Sequence, residues 1–155
     1  MKRAAGLLAL TALFAIAQSS SKDAWILTDQ EVNTTFSSIR AANPKNAMVS
    51  KLVGRFAGNS LSLIERSADG VPEVHLHKQD LVFVRQGTAT LISGGEVVNG
   101  KEGAGGEIRG ESIRNGTKRT IHAGDIIQVP AAVPHQMLLS PGETVSYAAV
   151  KVDAQ

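Results

Sequence analysis

The 155 residues contain no cysteine. That absence removes disulfide frameworks, thiolate zinc sites, cysteine nucleophiles and lipid attachment through an N-terminal cysteine together. A bound metal would have to rest on His, Asp or Glu. Aromatic residues are scarce at 4%, whereas a nucleic-acid binder stacks bases on aromatic rings beside a basic stripe. No such stripe is present, because the net charge of +2 is supplied by Lys2 and Arg3 alone. No nucleic-acid partner is expected. What the chain does have is 43% hydrophobic residues, enough for one folded domain in a length too short for two ordinary ones.

The apolar run over residues 4–17 falls short of the roughly 20 residues needed to span a bilayer, so no stable membrane anchor is expected. It follows the cationic Met1-Lys2-Arg3 and ends in the small-x-small triplet Ala15-Ile16-Ala17, the layout of a secretory signal peptide. Cleavage after Ala17 is expected, with release to the periplasm or outside the cell. Residues 18–43 then read as a polar lead-in and a short helix. Thr28-Asp29-Gln30-Glu31 is a capping-box pattern, and Val32, Phe36 and Ile39 follow at helical spacing. Asn43-Pro44 stops the pattern, so a helix is predicted over residues 29–41.

From Ser60 onward the pattern is short runs of period-two alternation, punctuated by Gly, Pro, Asn and Asp. Strands are predicted near residues 60–66, 73–77, 81–86, 88–92, 120–121, 125–129, 135–139 and 144–152. With no βαβ rhythm, the fold class is all-β, a closed or double-sheet barrel over residues 44–155 that removes exposed sheet edges. Residues 94–116 depart from this. They are rich in glycine and interleaved with Lys101, Glu102, Glu107, Arg109, Glu111 and Arg114. They are expected to form either a surface insertion or a lid over a pocket.

The chemistry lies in two separated pieces. His75-Leu76-His77 places two imidazoles at i and i+2, a spacing that points both to one face of a strand. Asp80 follows three residues later, and His135 comes after the proline-bounded turn from Pro130 to Pro134. Three imidazoles and one carboxylate suit a single divalent transition metal such as Mn, Fe, Ni, Cu or Zn. Glu73 shares the parity of His75 and His77 and would either face the cavity as a supporting acid or stand as a rim carboxylate in water. Met137 and Leu139 share the parity of His135 and would give the pocket an apolar floor. His122 reads as a surface histidine, and Arg85 as a solvent or interface contact.

The segment His75-x-His77-x2-Asp80-x6-Gly87 resembles the first cupin motif, and Gly124-x5-Pro130-x-Ala132-x2-His135 resembles the second. The likeness to the cupin superfamily extends with its flanking strands over about residues 60–152. It implies a double-stranded β-helix, or jelly-roll barrel, with a short N-terminal helix. Carried over position by position, it implies the metal ligands His75, His77, Asp80 and His135. The chain departs from the family pattern at Asp80, where glutamate is usual, at Leu139, where asparagine is often found, and at Ala132, where the turn usually has glycine. The resemblance also implies a small-molecule ligand and a homodimer. Activity stays open between a metal-dependent enzyme of dioxygenase, isomerase or decarboxylase type on a small, partly apolar molecule and a non-catalytic small-molecule or metal-binding module.

Overall fold

The structure, a computed structural model, describes residues 24–154 and the backbone of Ala17 and Gln18. The leader expected over residues 1–17 lies outside that description, apart from Ala17. The two-residue strand β1 (Ala17–Gln18) pairs in parallel with Gly54 and Arg55. The helix α1 (Asp29–Ala42) starts as the capping box requires. The Thr28 backbone N–H donates to Glu31 Oε2 at 2.8 Å, and the Glu31 N–H donates to Thr28 Oγ1 at 3.3 Å. Its buried residues are Val32 and Thr35, and it packs on β2 (Met48–Phe56) and β3 (Asn59–Arg66). Two ion pairs fasten it there, Arg40 to Glu65 at 2.6 Å and Arg85 to Asp29. Leu63 of β3, 1% exposed, and its chain neighbour Ile64 point to opposite sides of their sheet. Ile64 joins the core between the sheets.

The remaining strands are β4 (Glu73–His75), β5 (Lys78–Ser93), β6 (Glu96–Val98), β7 (Lys101–Glu102), β8 (Glu107–Arg109), β9 (Ser112–Arg114), β10 (Thr117–His122), β11 (Ile126–Val129), β12 (His135–Leu138) and β13 (Val145–Asp153). The runs predicted at 81–86 and 88–92 are therefore one 16-residue strand. At Gly87 its neighbours change. Residues before it pair with β13 and β11, and residues after it pair with β10 and β12. Gly87 has φ +82, and a Cβ there would lie 1.9 Å from the Thr144 carbonyl oxygen. Only glycine permits both the backbone angle and the close approach.

One side of the barrel thus runs β1-β2-β3-β13-β5-β11, and the other runs β10-β5-β12-β4-β8-β7 through the second half of the same strand. Between them sits an apolar core that includes Val82, Val84, Ala89, Leu91, Ile121, Val145, Tyr147 and Ala149, with Met137 and Leu139 packed against it. The structure is an all-β, cupin-like barrel with one N-terminal helix, as the alternation and turn pattern predict.

Three details differ from the expectation. The predicted strand 73–77 ends at His75, and Leu76 and His77 form a turn. The strand β2 was not predicted, because a register shift between Leu52 and Gly54 breaks its alternation. The glycine-rich segment 94–116 adds short strands beyond those predicted. Within it β6 pairs with β9, while β7 and β8 extend the sheet from β4.

Candidate metal centre

Three cross-strand pairs build a polar centre between the sheets. His135 of β12 is in register with Glu73 of β4, His75 of β4 with Glu107 of β8, and Asp80 of β5 with Lys151 of β13. Directly opposed residues share a face of their sheet, so each pair points one way. The first two pairs come from one sheet and the third from the other. Leu76 and His77 make the crossing between them, which is why Asp80 arrives after so short a connection.

The atoms converge closely. His75 Nε2 lies 3.2 Å from Asp80 Oδ2, and His135 Nε2 lies 3.6 Å from the same oxygen. The two rings are tilted at 60° with centroids 5.1 Å apart. Glu73, His75 and His135 bring one donor atom each to within 4.8 Å of one another, the dimension of a shell around one ion. The Lys151 ammonium reaches His75 Nε2 at 2.5 Å and Asp80 Oδ1 at 3.1 Å. On the far side of the rings, Val133 O lies 3.2 Å from His135 Nδ1, and Glu107 Oε1 lies 2.7 Å from His75 Nδ1. That His75 nitrogen is buried and has no aligned hydrogen-bond partner, so Glu107 meets it as a nearby charge.

The electrostatics follow from burial and these neighbours. Burial works against a charge on His75, but the Asp80 contact and the charges of Asp80 and Glu107 outweigh it and the opposing Lys151, raising its pKa. Burial dominates at His135 and lowers its pKa, against a smaller opposite effect from Val133 O. Burial alone would raise Asp80; the contact with His75 and the charge of Lys151 bring it below the ordinary carboxylate value. The pKa values of two imidazoles a ring's width apart are therefore shifted in opposite directions.

A cavity of about 90 Å³ opens beside the centre, lined in part by Glu73, Asp80, His135, Tyr147, Arg66 and Lys151. Arg66 Nε donates to the Tyr147 hydroxyl at 2.9 Å, and burial raises the Tyr147 pKa, Arg66 opposing.

No protein-family model matches the chain, and no curated protein matches it. Solved structures do. A Bacillus halodurans protein aligns over 90% of this chain and 88% of its own at 11% identity, with a TM-score of 0.57. A Klebsiella pneumoniae protein described as having a double-stranded β-helix domain aligns over 70% and 78% at 18% identity, with a TM-score of 0.52. A predicted oxalate decarboxylase from Thermotoga maritima aligns over 69% and 81% at 10% identity, with a TM-score of 0.51. The chain has the double-stranded β-helix fold.

Of the four positions assigned by likeness to the cupin motifs, the barrel brings together His75, Asp80 and His135. His77 stands apart, exposed on the turn beside Gly106, because the chain changes sheets between the two histidines. Glu73 takes the place on the site face that strand parity had suggested for it. Glu107 and Lys151 were not anticipated. The sequence signal for Lys151 was its alternation with Tyr147 and Ala149, which marks an inward-facing cation. His122 is exposed, its Nδ1 3.3 Å from Thr88 Oγ1, and Arg85 pairs with Asp29 of α1, both away from the polar centre. No helix among the described residues is long and apolar enough to cross a membrane.

Proposed function

We propose that this cupin holds one divalent first-row metal ion on Glu73, His75 and His135, with Asp80 beside them, and uses it to bind or transform a small, partly apolar molecule. The observation that carries the reading is the convergence of three donors within 4.8 Å in the barrel interior. Support comes from the far side of each ring, where Val133 O bonds His135 Nδ1 and the Glu107 charge stands beside His75 Nδ1, both favouring a proton on Nδ1 and directing Nε2 toward the centre. In this reading Glu73 fills the place that motif likeness gives to His77. Bound there, the ion supplies Lewis acidity and open positions for an oxygen-bearing ligand.

The chain's own residues do the rest. Ile64, Val82, Leu91 and Met137 form the apolar wall that excludes water from a ligand, and Arg66, held by Tyr147, offers it a fixed cation. A cavity of about 90 Å³ suits a molecule of few heavy atoms, well below the roughly 300 Å³ of a drug-sized site. Incubation with Mn(II), Co(II) or Zn(II) followed by dialysis and elemental analysis tests the centre. One ion per chain, lost in both His75→Ala and His135→Ala, is the expected result; no retained metal overturns the reading.

We also infer that the chain is exported after cleavage following Ala17, to the periplasm or beyond, and that it forms a homodimer. The cationic start and short apolar run support export. N-terminal sequencing and light scattering of the mature protein test the two inferences in turn.

A further inference from the structure

We propose that Lys151 is the resident cation of this centre, and that a divalent ion enters only as the lysine ammonium leaves. The proposal rests on the metal reading above and concerns a residue to which that reading gives no part. The Lys151 Nζ lies 2.5 Å from His75 Nε2 and 3.1 and 3.3 Å from the two Asp80 oxygens. These are the atoms that would face an ion. A nitrogen lone pair serves one cation at a time, so the ammonium and the metal compete for His75 Nε2.

The position is built into the sheet. Asp80 has two in-register neighbours, Val129 on β11 and Lys151 on β13. Val129 brings no charge, so Lys151 is the cation that faces Asp80 along the ladder. The other cations near the cavity are engaged elsewhere, Arg66 with Tyr147 and Arg109 with Glu73 at 3.3 Å. A buried carboxylate without a partner is strongly destabilising, and Lys151 compensates Asp80 before any ion arrives. The lysine can also leave. Its side chain is 35% exposed and ends a flexible four-carbon stem, so rotation carries the ammonium into water. Lys151 therefore holds the ion-free barrel in order and sets a threshold on metal affinity.

Calorimetric titration of the full chain with Zn(II) tests this, comparing the wild type with Lys151→Met, Lys151→Gln, Lys151→Arg and His135→Ala. Lys151→Met and Lys151→Gln should bind Zn(II) at least about tenfold more tightly than the wild type, as expected for removing a competing cation. Lys151→Arg should gain nothing, and His135→Ala should lose binding. If Lys151→Met binds like the wild type while His135→Ala loses binding, the metal reading stands and the lysine proposal is overturned. If no variant binds Zn(II), both fall together. Acetylation of the wild type, followed by mass spectrometry, needs no variant to fold. Lys151 should be modified several times faster with Zn(II) than without, and an unchanged rate overturns the proposal.

Discussion

Glu107 and His75 face each other across the β4–β8 ladder, with Glu107 Oε1 2.7 Å from the buried His75 Nδ1. A glycine-rich segment thereby delivers a carboxylate to the back of an imidazole in the candidate centre. Carboxylates behind ligating histidines commonly contribute about 10–100-fold to metal affinity. Glu107→Ala should weaken Zn(II) binding by that order. Glu111→Ala, whose exposed carboxylate accepts from Asn99, should leave the titration unchanged.

His75 and His77 separate under the same assay. His77 lies on the turn where the chain passes between sheets, so His77→Ala should retain bound metal. His75→Ala should lose it. Loss in both variants would restore the ligand set that motif likeness suggests.

Solution pH should act on the two imidazoles in opposite senses. The His75 pKa is raised above the ordinary 6.5, despite burial, by Asp80 and Glu107. Its protonation therefore stabilises the ion-free fold below pH 6.5, and that contribution disappears as pH rises through the folded value. The His135 pKa is lowered from 6.5 by burial, so its contribution grows as pH rises from the folded value to the unfolded one. Metal binding needs both rings neutral. As pH is lowered, affinity should then begin to fall before pH 6.5 is reached, because His75 takes its proton first. Proton NMR titration of the ion-free protein should resolve the two rings on either side of the ordinary value; coincident titration would contradict this account.

Gly87 and Gly58 offer a matched pair for stability. Both have positive φ, +82 and +77, but a Cβ at Gly87 meets Thr144 O at 1.9 Å, whereas one at Gly58 meets nothing within 4 Å. Gly58→Ala should cost about 1 kcal/mol from backbone strain alone. Gly87→Ala should cost at least about 2 kcal/mol more, because the bend shared by both sheets must shift. Denaturant melts of the two variants measure the difference.

Local chemistry made several elements legible in the sequence. Thr28 and Glu31 mark the helix start, and the period-two alternation from Ser60 marks β3, β5 and β13. What escaped reading depended on partners distant along the chain. The parity argument for His75 and His77 assumes a continuous strand, and nothing in those three residues announces a change of sheet between them. Glu107 carries no signal in a segment of glycines and charges until β8 pairs with β4. Lys151 alternates with Tyr147 and Ala149 and so shares their face, but its partner is fixed only when β13 is placed beside β5 and Asp80 comes opposite it. The centre was half visible because the imidazoles are rare residues and their carboxylate and ammonium partners are common ones.

The single strand β5 belongs to both walls of the barrel, and Asp80 and Lys151 stand on one wall while His75 and His135 stand on the other. Whatever bridges these groups acts as a rivet through a folded hinge. A bound ion would favour the joined state by mass action, so the melting temperature should climb with ion concentration even where the fold itself is unaltered.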